Sequence, residues 1–321
     1  MRLVLSGSIR FINTLRYFGY KDMLGSYHYP EQLETITNYA KDGRITRLII
    51  DSGAFSAWNS GEEINIYDYI KFLHQFKKER GSLFNELYFV NLDVIPGQKG
   101  ERVTYDQVLE AAEKGLEHFE IMLNEGFTNT IHVFHQGEPI SILQRILSYG
   151  TDYIGISPSN DATTKQRESW LDEAFKYVPK DVRTHGFAVT SPYLMTHYPW
   201  FSVDSISWFM HAVYGTLLVG IDSSGHIVTD DSTPVVNFFK LYLSPRKLTS
   251  PGSYIYFEQN KPGLIQHVDE YIRFICKLLP ITPSDLFADQ PVGRVVANLW
   301  AFIRLVESKD KQYSLVVSSL F

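Results

Sequence analysis

The 321-residue chain is 44% apolar and 21% charged, the balance of an ordinary globular protein, and it is long enough for one large domain or a domain with an extension. No run nears the roughly 18 consecutive apolar residues of a membrane helix, and the N-terminal MRLVLSGSIRF turns polar too soon for a signal peptide, so neither is expected. A lone cysteine, Cys276, excludes an internal disulfide and any multi-cysteine zinc site, and the net charge of −6 excludes a global basic field for nucleic acid; a cytoplasmic protein is expected.

Short apolar runs rich in Ile, Val, Leu, Tyr and Phe recur along the chain: Arg2–Ser6, Arg47–Asp51, Leu87–Asp93, Thr130–His135, Tyr153–Ser157, Thr184–Val189, Phe201–Asp204 and Thr216–Ile221. They read as strands buried on both faces. Helix-period segments separate them. Asn65 caps one with Ile66, Tyr69, Ile70, Leu73 and Phe76 on a single face. Thr104 and Gln107 form a capping box before another. Pro139 and Pro192 suit first helical turns, and Ser232 and Pro234 open a helix carrying Val235, Phe238, Phe239 and Tyr242. Eight strand-helix units predict an α/β fold, a (β/α)8 TIM-like barrel over residues 1–245, with a doubly wound sheet as the alternative. Beyond Pro245, Leu264–Leu279 and Val292–Val306 predict a C-terminal helical extension, 246–321, packed on the barrel.

The strand ends carry the chemistry. Asp51 precedes Ser52-Gly53-Ala54-Phe55; Asp93 precedes Pro96-Gly97; His135-Gln136-Gly137-Glu138 follows the fourth run. Ser157-Pro158 ends the fifth, His185-Gly186 lies in the sixth, and Asp204-Ser205 ends the seventh. In a barrel these ends share one face, where active sites are built. Singly, each Asp reads as a turn or cap; three at strand ends read as a site. Two carboxylates across a sugar ring suit glycosyl transfer, one attacking the anomeric carbon and one exchanging protons. The residues alone do not name the sugar.

These segments resemble the motifs of the tRNA-guanine transglycosylase superfamily. Asp51-Ser52-Gly53-Ala54-Phe55 is similar to its Asp-Ser-Gly-Gly-Phe signature, Leu92-Asp93 with Pro96 to its Phe-Asp-Glu-Cys-x-Pro segment, and Val133–Gly137 to its Val-Gln-Gly-Gly segment. Val203-Asp204-Ser205 resembles its nucleophile strand, and Tyr198–Ser205 with Ser207-Trp208 is nearer to the phage and bacterial transglycosylases of 7-deazaguanine DNA modification. The resemblance spans about residues 47–208. It implies base exchange of guanine in DNA, with tRNA as second choice, for a preQ0-type 7-deazaguanine co-substrate, without a cofactor. Other modification-system proteins are implied as partners, in a host cytoplasm for a phage-encoded protein. Asp204 would be the nucleophile and Asp51 the proton handler. Asp93 would read the base, His135 or Gln136 would take the family glutamine's place beside Gly137, Gly186 would floor the pocket, and Phe55 would stack on the base.

Three departures stand against the pattern. The family's three-cysteine zinc site cannot be built, so no metal is expected and weight moves from tRNA to DNA. Ser157-Pro158 replaces a Gly-Gly pair, so Pro158 removes a backbone donor and Ser157 is left to substitute. Phe209, Met210 and His211 replace the arginines beyond the nucleophile, leaving Lys99, Arg102, Lys165 and Arg167 as candidate phosphate contacts beside the alternative of a solvated loop. Two other readings stay open: a nucleosidase or glycoside hydrolase, and a non-catalytic subunit of a modification system.

Overall fold

A computed structural model gives the fold; it describes residues 1–6, 12, 18–97, 100–189, 191–245 and 250–318, with side chains as far as residue 309. Nine strands form one parallel sheet: β1 (Arg2–Leu5), β2 (Asp22–Ser26), β3 (Arg47–Asp51), β4 (Glu86–Val90), β5 (Thr130–Ile131), β6 (Val133–His135), β7 (Tyr153–Ser157), β8 (Arg183–Gly186) and β9 (Ser202–Ser205). The order across the sheet is β5-β4-β3-β2-β1-β9-β8-β7-β6. Its two ends are halves of one run, interrupted at His132. The Asn91 N–H donates to Ile131 O (2.9 Å) on one side of that run, and the Gly155 N–H to His132 O (2.8 Å) on the other. The sheet therefore curls into a TIM-like barrel whose staves follow chain order, with helices between them.

Period-two alternation sorts the inward side chains into layers. At the strand starts, Arg2 pairs with Glu86, Arg47 with Asp22 and Arg183 with Asp152. In the middle Val4, Ile49, Val90, Ile131, Val133 and Tyr153 pack as a small apolar core. At the strand ends stand Ser26, Asp51, His135 and Asp204. A larger core fills the space between the barrel, its helices and the extension.

Several expectations are corrected. Thr216–Ile221 is a strand but not a stave: as β10 it pairs antiparallel with β11 (Asn237–Tyr242), outside the barrel. The missing stave is β2, whose inward residues Asp22 and Ser26 are polar because they face Arg47 and Asp51, which hides it from an apolar count. The helix expected from Ser232 is β11 instead. Asp230 accepts from the N–H and hydroxyl groups of both Ser232 and Thr233, closing a turn, and Asn237-Phe-Phe-Lys-Leu-Tyr, rich in aromatics, then runs as a strand. Asp93 lies beyond the end of β4, and β8 stops at Gly186 rather than reaching Val189. Asn65, Thr104 and Pro192 open helices as expected, whereas Pro139 is an N-cap residue.

The extension contains helices Pro262–Leu278 and Val292–Ser318, the second running well past Val306. It is fastened to the barrel by polar groups. Asn298 accepts from the Leu218 N–H (2.8 Å) and donates to Trp208 O (3.1 Å) and Thr216 O (3.0 Å), joining the last helix to β10 and to the helix after β9. Arg294 is fully buried and donates to the carbonyls of Ala212, Leu286, Ala288 and Asp289. Removing it strands the buried carbonyls of Ala212 and Leu286, so Arg294→Met should lose roughly 3 kcal/mol of stability in urea unfolding; an unchanged midpoint contradicts the fastening role.

Candidate active site

The strand-end layer brings the three expected aspartates into one electrostatic neighbourhood. Asp204 lies on β9 beside Val4 of β1. Its Oδ1 accepts the Ala188 N–H (2.8 Å) and its Oδ2 the Ser6 hydroxyl (3.1 Å). The His185 Nε2 lies 3.5 Å from Oδ1. Ala188 reaches this carboxylate because the chain turns sharply after β8, with φ of 52° at Ala188 itself.

Asp51 ends β3 beside Ser26 of β2. Its Oδ2 accepts the Gly53 N–H (2.9 Å). Gly53 has φ of 78°, and a Cβ there would stand 2.5 Å from His28 Cβ and 2.7 Å from Ser26 Oγ, so the Asp-Ser-Gly turn requires glycine. Burial pushes the Asp51 carboxyl up to about 7, and the charges of Asp93 and then Asp204 add to it; the Gly53 N–H and Ser26 hydroxyl pull the other way.

Asp93 pairs with His135, Oδ2 to Nε2 at 3.2 Å. Burial opposes a charge on His135, but Asp93 outweighs it and raises the ring to about 9. A third of the His135 side chain stays open to the mouth. Glu138 closes the turn after β6 by accepting the His135 N–H (3.0 Å); burial raises its carboxyl to about 7, with His135 opposing.

Other expected residues take different places. Gln136 serves the loop after β7: its Oε1 accepts the Ser159 N–H (2.9 Å) and its Nε2 donates to Gln166 O (3.4 Å). Gly137, with φ of 114°, is the exposed corner of the Glu138 turn. Ser157 sits opposite His135 in register, and its carbonyl accepts the Gln136 N–H. A Cβ on Gly186 would meet Val189, Trp200 and Val203, so this glycine permits packing on the outer side of the sheet, while His185 faces inward. Phe55 is 60% exposed and stacks on Trp58, whose indole N–H holds Gly97 O (3.0 Å) on the loop after β4. Arg102 and Lys165 are exposed, Arg167 is committed to Ser159 O and Asn160 O, and Lys99 lies outside the described residues.

Three participants escaped the sequence reading, Ser6, Ser26 and Ala188, and His185 was named with Gly186 without a role for its side chain. Ser6, Ser26 and His185 are in step with inward residues of their strands, and that period was the available signal. Ala188 acts through its backbone and left none. Among the described residues no cluster of three or more His, Cys, Asp or Glu is arranged to hold a metal, and no helix is long and apolar enough to cross a membrane.

No protein-family model matches the chain, and no curated protein matches it either. Among solved structures, the Amycolatopsis orientalis BexX/CysO complex aligns with a TM-score of 0.38 and 10% identity, over 63% of this chain and 78% of that one. That likeness is too slight to argue from.

The raised Asp51 value has a consequence for stability. In the unfolded chain this carboxyl ionises near pH 4, in the fold near 7. Its contribution is therefore fully present below about pH 4 and lost as pH rises through 7, after which a buried charge costs up to about 4 kcal/mol. Asp51→Asn should raise the melting temperature at pH 8, with the gain shrinking towards pH 5; a gain independent of pH contradicts this.

Proposed function

We propose that this chain is a guanine transglycosylase that exchanges guanine in DNA for a 7-deazaguanine base of the preQ0 type. The observation that carries the reading is the set of strand-end carboxylates: Asp204 held by Ala188 and Ser6, with Asp51 titrating near neutrality in its field. The ordered motifs at those same strand ends support this reaction, and Cys276 as the single cysteine favours DNA over tRNA.

In this reading the target nucleotide is splayed into the mouth, at an unstacking cost of a few kcal/mol. Asp204 attacks C1′, the glycosidic bond breaks, and guanine leaves as an ester forms between Asp204 and the sugar. Asp51, half protonated near pH 7, gives a proton to the departing base and takes one from the incoming base, as an acid-base group with that value can. Attack by the incoming base on C1′ then releases Asp204. Asp93 accepts from N1 and the exocyclic amine of the base through Oδ1, since Oδ2 is taken by His135. Phe55, exposed at the rim, supplies a stacking face.

Duplex DNA carrying labelled guanine should release label only when a 7-deazaguanine base is added, and denaturing mass spectrometry should show a protein–oligonucleotide adduct that Asp204→Asn abolishes. Asp51→Asn should slow exchange by about 10²–10⁴-fold and flatten the pH profile near 7. Release without a second base would move the assignment to a hydrolase, release from tRNA alone to the tRNA-acting branch, and binding without release to a non-catalytic subunit.

A further inference from the structure

Behind Asp204 runs a chain of buried polar groups that the reaction above does not use. Tyr153 OH lies 2.6 Å from Ser202 Oγ, and Ser202 Oγ lies 2.6 Å from His185 Nδ1. The far nitrogen of the ring, Nε2, is buried without a hydrogen-bond partner among the described residues and lies 3.5 Å from Asp204 Oδ1. His185 is fully buried, Ser202 is 1% exposed and Tyr153 4%. Ser202 and His185 are register partners on β9 and β8, so the strands themselves fix their separation.

The protons in this chain can be placed by counting donors. Burial pushes the Tyr153 phenol well above its ordinary value, so its O–H stays on and needs an acceptor. Ser202 Oγ takes it, leaving the serine proton to point at His185 Nδ1. Nδ1 is then the accepting nitrogen and Nε2 carries the hydrogen, aimed at a carboxylate oxygen. The opposite arrangement makes Ser202 Oγ accept from both neighbours, leaves the serine proton with no partner in the relay and turns a ring lone pair towards Asp204, which electrostatics disfavours in a buried site. At 3.5 Å the contact is longer than a formed hydrogen bond, as such contacts often are before substrate closes a site.

We propose that His185 is a positioning residue for Asp204, its tautomer set by Tyr153 through Ser202. It rests on the reading of Asp204 as nucleophile. With the Ala188 N–H and His185 both on Oδ1, Oδ2 carries, among the described residues, only the Ser6 hydroxyl and is the oxygen that turns to the sugar. The buried relay thus selects which oxygen attacks and holds the carboxylate plane still while it does so.

Nitrogen-15 NMR of the histidine rings tests the tautomer on the protein alone, so it stands or falls apart from the exchange reaction. The His185 ring should show a protonated Nε2 and an accepting Nδ1, and Ser202→Ala or Tyr153→Phe should shift that signal while the fold, followed by amide spectra, persists. Kinetically, His185→Phe should lower kcat by roughly 10²-fold with little change in KM for the incoming base, and His185→Gln, which keeps an N–H near the Nε2 position, should recover part of the loss. A protonated Nδ1 in the wild-type protein, or a ring signal indifferent to Ser202→Ala, overturns the relay. An unchanged kcat in a folded His185→Phe enzyme overturns the positioning role. Wild-type protein that shows the expected tautomer yet exchanges no base leaves the relay standing and removes the function assigned to Asp204.

Discussion

The repulsion among carboxylates at the barrel mouth is the constraint on which the rest of the site depends. Asp51, Asp93 and Asp204 come from three staves and share one poorly solvated space. Charges so placed cannot all be held without compensation. Each aspartate meets this differently. Asp93 takes the charged His135 ring as partner, Asp204 takes a backbone N–H, a serine hydroxyl and the direction of His185, and Asp51 retains its proton to near neutrality. Three residues of one type therefore acquire three chemistries from their surroundings, as groups in a working site need.

The barrel supplies the geometry for this at the far end of an ordered interior. Ion pairs occupy the strand starts and an apolar layer fills the middle. The hydrogen bonds of Tyr153, Ser202 and His185 run between buried side chains beneath the strand-end layer. The C-terminal helices hold the last stave from outside: Asn298 and Arg294 grip the helix that follows Asp204, through Trp208 O and Ala212 O. The position of Asp204 is thereby linked to the extension.

Much of this was legible in the sequence because the barrel repeats one pattern. Seven of the eight apolar runs are staves, and Asp51, His135 and Asp204 fall on strand ends as their runs suggested, with Asp93 just beyond one. What escaped notice did so for physical reasons. Stave β2 is polar at both ends of its inward face, where Asp22 and Ser26 meet Arg47 and Asp51, so an apolar count passes over it. Thr216–Ile221 is as apolar as any stave, since it is buried by the extension instead. Gly186 and Gln136 sit in the right segments but serve packing and a loop, a distinction that depends on which way a side chain points. Ala188 is invisible to sequence reading because any residue but proline has an N–H; its value lies in the turn that delivers it.

The central claim is that Asp51 is poised near neutrality by burial and by its neighbours' charge. Carbon-13 NMR titration of the Asp51 carboxyl, in the wild-type protein and in Asp93→Asn, addresses it most directly. The account predicts a wild-type midpoint near 7 that falls towards the ordinary carboxylate range when the Asp93 charge is removed. A wild-type midpoint near 4, unmoved in Asp93→Asn, would contradict it.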